Sequence, residues 1–144
     1  RIDWLGAQPQ ERILAAYRDA DIFVLANRVA RDGDRDGLPN VLMEAMSQEL
    51  ACIASATAAV PELIADGATG LLVPADEPAR LAEAMTRLAR DPTLRLVLGR
   101  AGAETVRIKF SFAAGIAELR RLFPSEPPIE MIRGAACASP STRP

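Results

Sequence analysis

The chain has 144 residues, of which 49% are hydrophobic and 25% charged, and its formal net charge is −2. This composition is that of a folded soluble domain and excludes a wholly disordered chain, and no apolar run approaches the roughly 18 residues of a membrane span. The chain has 17 basic and 19 acidic residues, and this balance excludes general nucleic-acid binding. Histidine is absent, which excludes Ser–His and Cys–His catalysis and histidine metal sites.

The start of the chain and its cysteines suggest where the protein comes from. The sequence begins Arg1-Ile2-Asp3 without an initiator methionine or a signal-peptide pattern, which predicts a fragment or processed piece of a longer polypeptide. The two cysteines, Cys52 and Cys137, are too few for a zinc site or a disulfide framework. We therefore expect a cytoplasmic location, with peripheral attachment at the inner membrane surface as the alternative.

Strands and helices are predicted to alternate through the first half of the chain. Short apolar runs indicate strands, and apolar residues at helical spacing indicate helices. The predicted order is a strand at Ile2–Leu5 closed by Gly6, a helix at Pro9–Asp19, a strand at Asp21–Ala26 buried on both faces, a charged loop at Asn27–Gly37, a helix at Leu38–Gln48, a strand at Ala51–Ser55, a short helix at Pro61–Ala65 and a strand at Gly70–Val73.

Helices dominate the remainder of the chain. They are predicted at Glu77–Arg90, at Pro92–Phe110 with a weak point at Gly99–Gly102, and at Phe112–Phe123. From Pro124 the chain is proline-rich and without periodicity, so we expect a disordered tail over 124–144 and a domain over 1–123. The alternation predicts βαβ units, hence an α/β fold with a short parallel sheet flanked by helices and a helical C-terminal part. Three or four strands form half of a doubly wound sheet, incomplete on its N-terminal side.

Two carboxylates mark a candidate site. Ligands of open parallel sheets bind outside the carboxyl ends of the strands, where the loop that contains Asp36 is expected. Glu44 follows eight residues later on the next helix, so both can face one crevice. Such a pair suits sugar chemistry, because carboxylates accept hydrogen bonds from vicinal hydroxyls and stabilise positive charge at an anomeric carbon. The alternatives are a turn residue for Asp36 and a solvated helix residue for Glu44.

Four segments carry a family resemblance. They are Trp4–Gly6 (WLG), Tyr17–Leu25 (YRDADIFVL), Gly37–Met46 (GLPNVLMEAM) and Pro61–Pro74 (PELIADGATGLLVP). In this order and spacing they resemble the C-terminal, nucleotide-sugar-binding domain of retaining glycosyltransferases of family 4, or group 1. The resemblance covers residues 2 to 122. It implies half of a GT-B enzyme, with a partial Rossmann-like fold, that transfers a sugar from a nucleotide diphosphate to a hydroxyl acceptor.

The resemblance also implies roles for individual residues. The family's Glu-x7-Glu motif falls on Asp36 and Glu44, so that Asp36 would contact the donor sugar near the reacting centre and Glu44 would hold the ribose hydroxyls. The turn at Gly6 would border the nucleobase. Donor binding is assigned to Gly37, Leu38 and Asn40 on the same basis. No metal and no cofactor beyond the donor substrate are implied. The implied partners are the missing N-terminal domain and an acceptor glycan or lipid-linked sugar.

Asp36 stands where the family motif has glutamate, and three other positions also depart from the family pattern. Glu49 stands where the family has a glycine after the helix, and Ala58 and Ala59 replace glycines of a later loop. A side chain in a left-handed cap costs on the order of 1 kcal/mol relative to glycine. These losses favour one alternative, an inactive truncated or decayed fragment. A sugar-nucleotide 2-epimerase shares the architecture, but its histidines are absent. Asp32–Asp36 also matches the first half of a calcium loop, whose twelfth position is Met43 rather than glutamate.

Overall fold

The structure is a computed structural model that describes residues 2–29 and 37–122. The chain divides into two compact units, 1–111 and 112–144. Within the second unit the described residues form one helix, α6 (Phe112–Leu122). The predicted tail at 124–144 lies outside the described residues, and both it and the domain over 1–123 stay predictions.

The first unit contains a three-stranded parallel sheet, which confirms the predicted α/β class. The strands are β1 (Ile22–Leu25), β2 (Ala51–Ser55) and β3 (Leu71–Val73), in the spatial order β1-β2-β3. Ile22 pairs with Ala51, and Ile53 pairs with Leu71. Since all pairs are parallel, the three strands end at the same edge of the sheet, where a ligand site is expected.

Five helices surround this sheet. They are α1 (Gln10–Asp19), α2 (Asn40–Ser47), α3 (Val60–Leu63), α4 (Pro78–Arg90) and α5 (Pro92–Lys109). Each lies within a few residues of its predicted bounds. Proline occupies the first turn of α3, α4 and α5, where a missing N–H leaves no hydrogen bond unmade.

The core consists of two layers, one on each face of the sheet. Cys52 and Ala54 of β2 pack with buried residues of α1, α2 and α3, among them Leu42 and Met46. Ile53, on the opposite face of β2, packs with residues of β3, α4 and α5. This is the two-residue alternation of a strand, and burial of all five β2 residues confirms that it is covered on both faces.

Two glycines let α5 pack closely against the rest of the unit. A methyl group on Gly99 would lie 2.0 Å from the backbone oxygen of Glu49, and one on Gly102 would lie 2.9 Å from that of Thr69. The predicted weak point at this pair is wrong, since α5 continues unbroken from Pro92 to Lys109. The glycines are required by backbone contact and not by a bend.

Two strand predictions are also wrong. Residues 2–5 form no strand in the described part of the chain, and Ile2, Trp4 and Leu5 are exposed. A strand needs a neighbour for its backbone hydrogen bonds, and none of the described strands pairs with this segment. β1, expected to be buried on both faces, is half-buried throughout, because it lies at an edge of the described sheet.

The other edge of the sheet, β3, is closed by a side chain. The backbone N–H of Leu72 donates to Asp66 Oδ1 at 2.9 Å, and Asp66 itself bridges to Gly70. The turn between these two residues is held by a 2.9 Å hydrogen bond from the Gly67 N–H to the Gly70 oxygen. The Leu72 N–H therefore donates to a side chain of the preceding turn and is not free to donate to a fourth strand.

Candidate functional site

A cleft opens at the edge where the three strands end. Its volume is about 300 Å³. It is lined by Ala26, Asn27, Arg28, Ser55, Val73, Pro74, Asp76, Glu77, Pro78 and Leu81. Within the described part of the chain, Asn27 Oδ1 is buried there without a hydrogen-bond partner. Charged and polar side chains therefore line the cleft together with apolar ones, and none of the described site residues predicted from the sequence lines it.

The backbone at this edge is strained at two positions. Ala58, after β2, has φ 48°, and Asp76, after β3, has φ 60°. Side chains with a Cβ rarely adopt this region, at a cost of about 1–2 kcal/mol. Ala58 is one of the two alanines at positions where the resemblance leads us to expect glycine, and its backbone has a conformation that suits glycine. The other, Ala59, has an ordinary φ of −87°, so only Ala58 carries strain.

Glu44 lies on α2 and faces α1. Its side chain is half-buried. The Tyr17 hydroxyl lies 3.4 Å from Glu44 Oε2 and 3.4 Å from the backbone oxygen of Val41. Ser47 donates to the backbone oxygen of Glu44 at 2.7 Å. Glu44 is therefore a carboxylate in a defined polar contact and not a freely solvated helix residue.

Tyr17 is buried, at 7% exposure, and its ring meets Phe23 edge-on with the ring centroids 5.8 Å apart. Burial raises the pKa of Tyr17 above 10.0, and the adjacent Glu44 carboxylate raises it further. The sequence predicts a helix around Tyr17 but does not predict this contact. Its partner is 27 residues away, so no spacing rule could have found it.

The remaining predicted residues are spread over several places. Gly6, with φ 62°, lines a separate groove of about 580 Å³ along α1. Leu38 packs against the α1–α2 core layer. Gly37 and Asn40 are exposed at the start of α2. Glu44 is not among the residues lining the groove or the cleft, so the described residues do not gather the predicted set into one cavity.

Asp36, the predicted catalytic residue, lies outside the described residues, as does the calcium-like segment Asp32–Asp36. In residues 2–29 and 37–122, no group of three or more metal-binding side chains is found. None of the described helices is both long and apolar enough to cross a membrane.

Comparison with known proteins identifies the family. The pattern of the family described as "Glycosyl transferases group 1" matches residues 1–91. The amylovoran biosynthesis glycosyltransferase AmsK of Erwinia amylovora is 40% identical over 60% of this chain and 21% of its own length. The D-inositol 3-phosphate glycosyltransferase of Corynebacterium efficiens is 33% identical over 85% of this chain. The chain spans 27% of that second relative, so it matches a limited part of each.

Solved structures show the same fold. A sucrose-phosphate synthase from Thermosynechococcus elongatus superposes with a TM-score of 0.73 and 26% identity over 94% of this chain and 31% of its own. The C-terminal domain of the group 1 glycosyltransferase LpcC from Francisella tularensis superposes with a TM-score of 0.63 and 28% identity. The superposition covers 77% of this chain and 53% of that domain. Anabaena HepE, solved in complex with UDP, gives 0.65 at 18% identity over 75% of this chain and 29% of its own, a likeness of fold alone. The predicted partial Rossmann-like fold of the GT-B type is thus confirmed, and the chain belongs to the group 1 glycosyltransferases.

Proposed function

We propose that this chain is the nucleotide-sugar-binding part of a retaining glycosyltransferase that transfers a sugar from a nucleotide diphosphate to a hydroxyl acceptor. The observation that carries the proposal is Glu44. It occupies the second acidic position of the family motif, and it is half-buried and hydrogen-bonded to Tyr17. The bound UDP of Anabaena HepE, which has the same fold, supports a nucleotide as the ligand.

The proposed roles of the two carboxylates differ. Glu44 accepts charge-assisted hydrogen bonds from the ribose hydroxyls, each contributing about 1.5–3 kcal/mol. Asp36 contacts the donor sugar next to the breaking bond. Because the ribose is remote from that bond, loss of Glu44 weakens donor binding, whereas loss of Asp36 lowers the rate.

Residues around the two carboxylates, together with a second domain, complete the proposed donor site. The turn at Gly6 and the start of α2 at Gly37, Leu38 and Asn40 border the donor. An N-terminal domain supplies the opposite side of the donor site and binds an acceptor glycan or lipid-linked sugar. We place the protein in the cytoplasm. No metal takes part, since positive side chains and helix N-termini stabilise the leaving diphosphate.

Binding of UDP and GDP to the chain tests the role of Glu44. We expect Glu44→Gln to raise the Kd about tenfold, measured by calorimetry or amide chemical shifts. Glu83→Gln is the matched control, because Glu83 is an exposed carboxylate on α4 with 66% of its side chain accessible. An unchanged Kd in Glu44→Gln would show that Glu44 does not hold the donor.

Glycosyl transfer by the 144-residue chain itself is expected to be absent. Only one side of the donor site is proposed to lie in this chain, and a transition state held from one side loses its orientation. The assay is incubation with radiolabelled nucleotide-sugars and a broad acceptor pool. Clear turnover would refute the proposal that a second domain completes the site.

The alternative of a fragment that binds no donor has one observation in its favour. The Cβ of Ala58 lies on a left-handed backbone, at a position where glycine would let a phosphate or sugar approach. If the Cβ blocks the donor, Ala58→Gly restores UDP or GDP binding that the natural chain lacks. If the natural chain already binds, this alternative fails.

A further inference from the structure

Tyr17 is fixed in position by its surroundings. Its ring is buried and packs edge-on against Phe23 of β1. A tyrosine whose ring is held by packing has its hydroxyl at a defined place, because only the hydroxyl hydrogen still rotates. At that place two acceptors lie equally close, Glu44 Oε2 and the backbone oxygen of Val41, each at 3.4 Å.

The hydroxyl has one proton, and the two acceptors compete for it. An ionised carboxylate is the stronger acceptor, because charge-assisted hydrogen bonds are stronger than neutral ones. Donation to Glu44 fixes one oxygen of a side chain that would otherwise sample several rotamers. The other oxygen, Oε1, is then presented in one orientation to a ligand.

We propose that Tyr17 is a positioning residue that holds the Glu44 carboxylate in the orientation in which its other oxygen, Oε1, accepts hydrogen bonds from the hydroxyls of a ribose cis-diol. This inference rests on the proposed function, since it assumes that Glu44 binds the ribose. It assigns to Tyr17 a part in donor affinity that acts through Glu44. Preorganisation of this kind improves affinity, because the ordering of the side chain no longer opposes binding.

The test is a double-mutant cycle on UDP and GDP binding to the chain. Tyr17→Phe keeps the ring and removes the hydroxyl, so we expect the Kd to rise about 3- to 10-fold. In the Glu44→Gln background the same change should have little effect, since the group that Tyr17 orients has already been altered. Ile53→Val is the control, because it loosens the core on the opposite face of β2 and leaves the Tyr17 hydroxyl, its packing against Phe23 and Glu44 in place.

A spectroscopic measurement provides a readout that does not depend on the ligand. Tyr17 is the only tyrosine of the chain, so the tyrosinate absorbance near 295 nm reports this residue alone. The Glu44 carboxylate contributes to the raised pKa of Tyr17, and Glu44→Gln should therefore lower that pKa towards 10.0. An unchanged pKa would overturn the proposal, since the hydroxyl and carboxylate would then not be in contact.

The binding outcomes separate the two proposals. If Glu44→Gln weakens binding and Tyr17→Phe does not, the positioning role is wrong and the proposed function stands. If Ile53→Val weakens binding as much as Tyr17→Phe, a general loss of packing explains the effect and the positioning role is again wrong. If the natural chain binds neither UDP nor GDP, or if Glu44→Gln binds as well as the natural chain, the proposed function itself fails.

Discussion

Replacement of Gly99 by alanine distinguishes helix propensity from tertiary packing. In an exposed helix interior, alanine is about 1 kcal/mol more favourable than glycine, so the sequence of α5 predicts that Gly99→Ala stabilises. The structure predicts the opposite. The added methyl group would lie 2.0 Å from the backbone oxygen of Glu49 and 2.8 Å from its carbonyl carbon.

The size of the expected loss of stability depends on how far the Glu49 backbone must move to make room for the methyl group. Non-bonded heavy atoms rest at about 3.5 Å, so the contact is short by roughly 1.5 Å. The Glu49 backbone cannot move easily, because two hydrogen bonds hold it. The Glu49 N–H donates to the Met46 oxygen at 3.0 Å, and the Leu50 N–H donates to the Ala45 oxygen at 3.3 Å. Overpacking costs about 1–3 kcal/mol, and opening this cap forfeits two hydrogen bonds of about 1 kcal/mol each. After the gain in propensity we expect a net loss of about 2–4 kcal/mol.

Urea unfolding followed by circular dichroism measures this difference as a shift of the midpoint at constant m-value. Gly115→Ala is the matched control, because Gly115 lies inside α6 and a methyl group there meets no atom within 4 Å. We expect the control to be neutral or stabilising. A Gly99→Ala variant as stable as the natural chain would refute the close approach of α5 to Glu49.

Three further predictions follow from single residues. Glu49 caps α2 with φ 61°, so Glu49→Gly should raise the free energy of unfolding by about 1 kcal/mol in the same urea assay. Burial raises the pKa of Cys52 to about 12, so in a variant whose other cysteine is serine, a disulfide reagent at pH 8 should label Cys52 only on unfolding. In the folded chain the pKa of Tyr17 lies above 10.0, so the stability that the protonated hydroxyl contributes is complete below pH 10 and is lost as the pH rises through the pKa of the folded state. We therefore expect the urea midpoint to fall above pH 10 in the natural chain, and to fall less in Tyr17→Phe.

The sequence predicts best the elements whose signal is local. β2 matches at both ends, Ala51 and Ser55, because five apolar or small residues between turn signals leave few alternatives for a buried strand. The helix α4 begins one residue after its predicted start and ends at Arg90 as expected. The left-handed cap at Glu49 also follows from sequence, since the chain must leave α2 and enter β2 within a few residues.

What the sequence could not predict depends on partners distant along the chain. Ile2–Leu5 has the composition of a strand, but a strand exists only where another strand supplies its hydrogen bonds. Gly99 resembled a flexible point, because nothing nearby in the sequence reveals that the Glu49 backbone lies against it. The contact of Tyr17 with Glu44 likewise joins two helices that meet only in the folded chain.

The hydrogen bond between Asp66 and Leu72 makes the two edges of the described sheet unequal as places where a further strand could pair. Exposed strand edges are where a second molecule adds a strand and aggregation starts, and a polar side chain at the edge prevents this. Because the Leu72 N–H is already taken, β3 is a poor template for strand addition. At β1, no described strand pairs with the outer side. Among the described strands, β1 is therefore the edge at which a further strand, from the same polypeptide or another, can pair most readily.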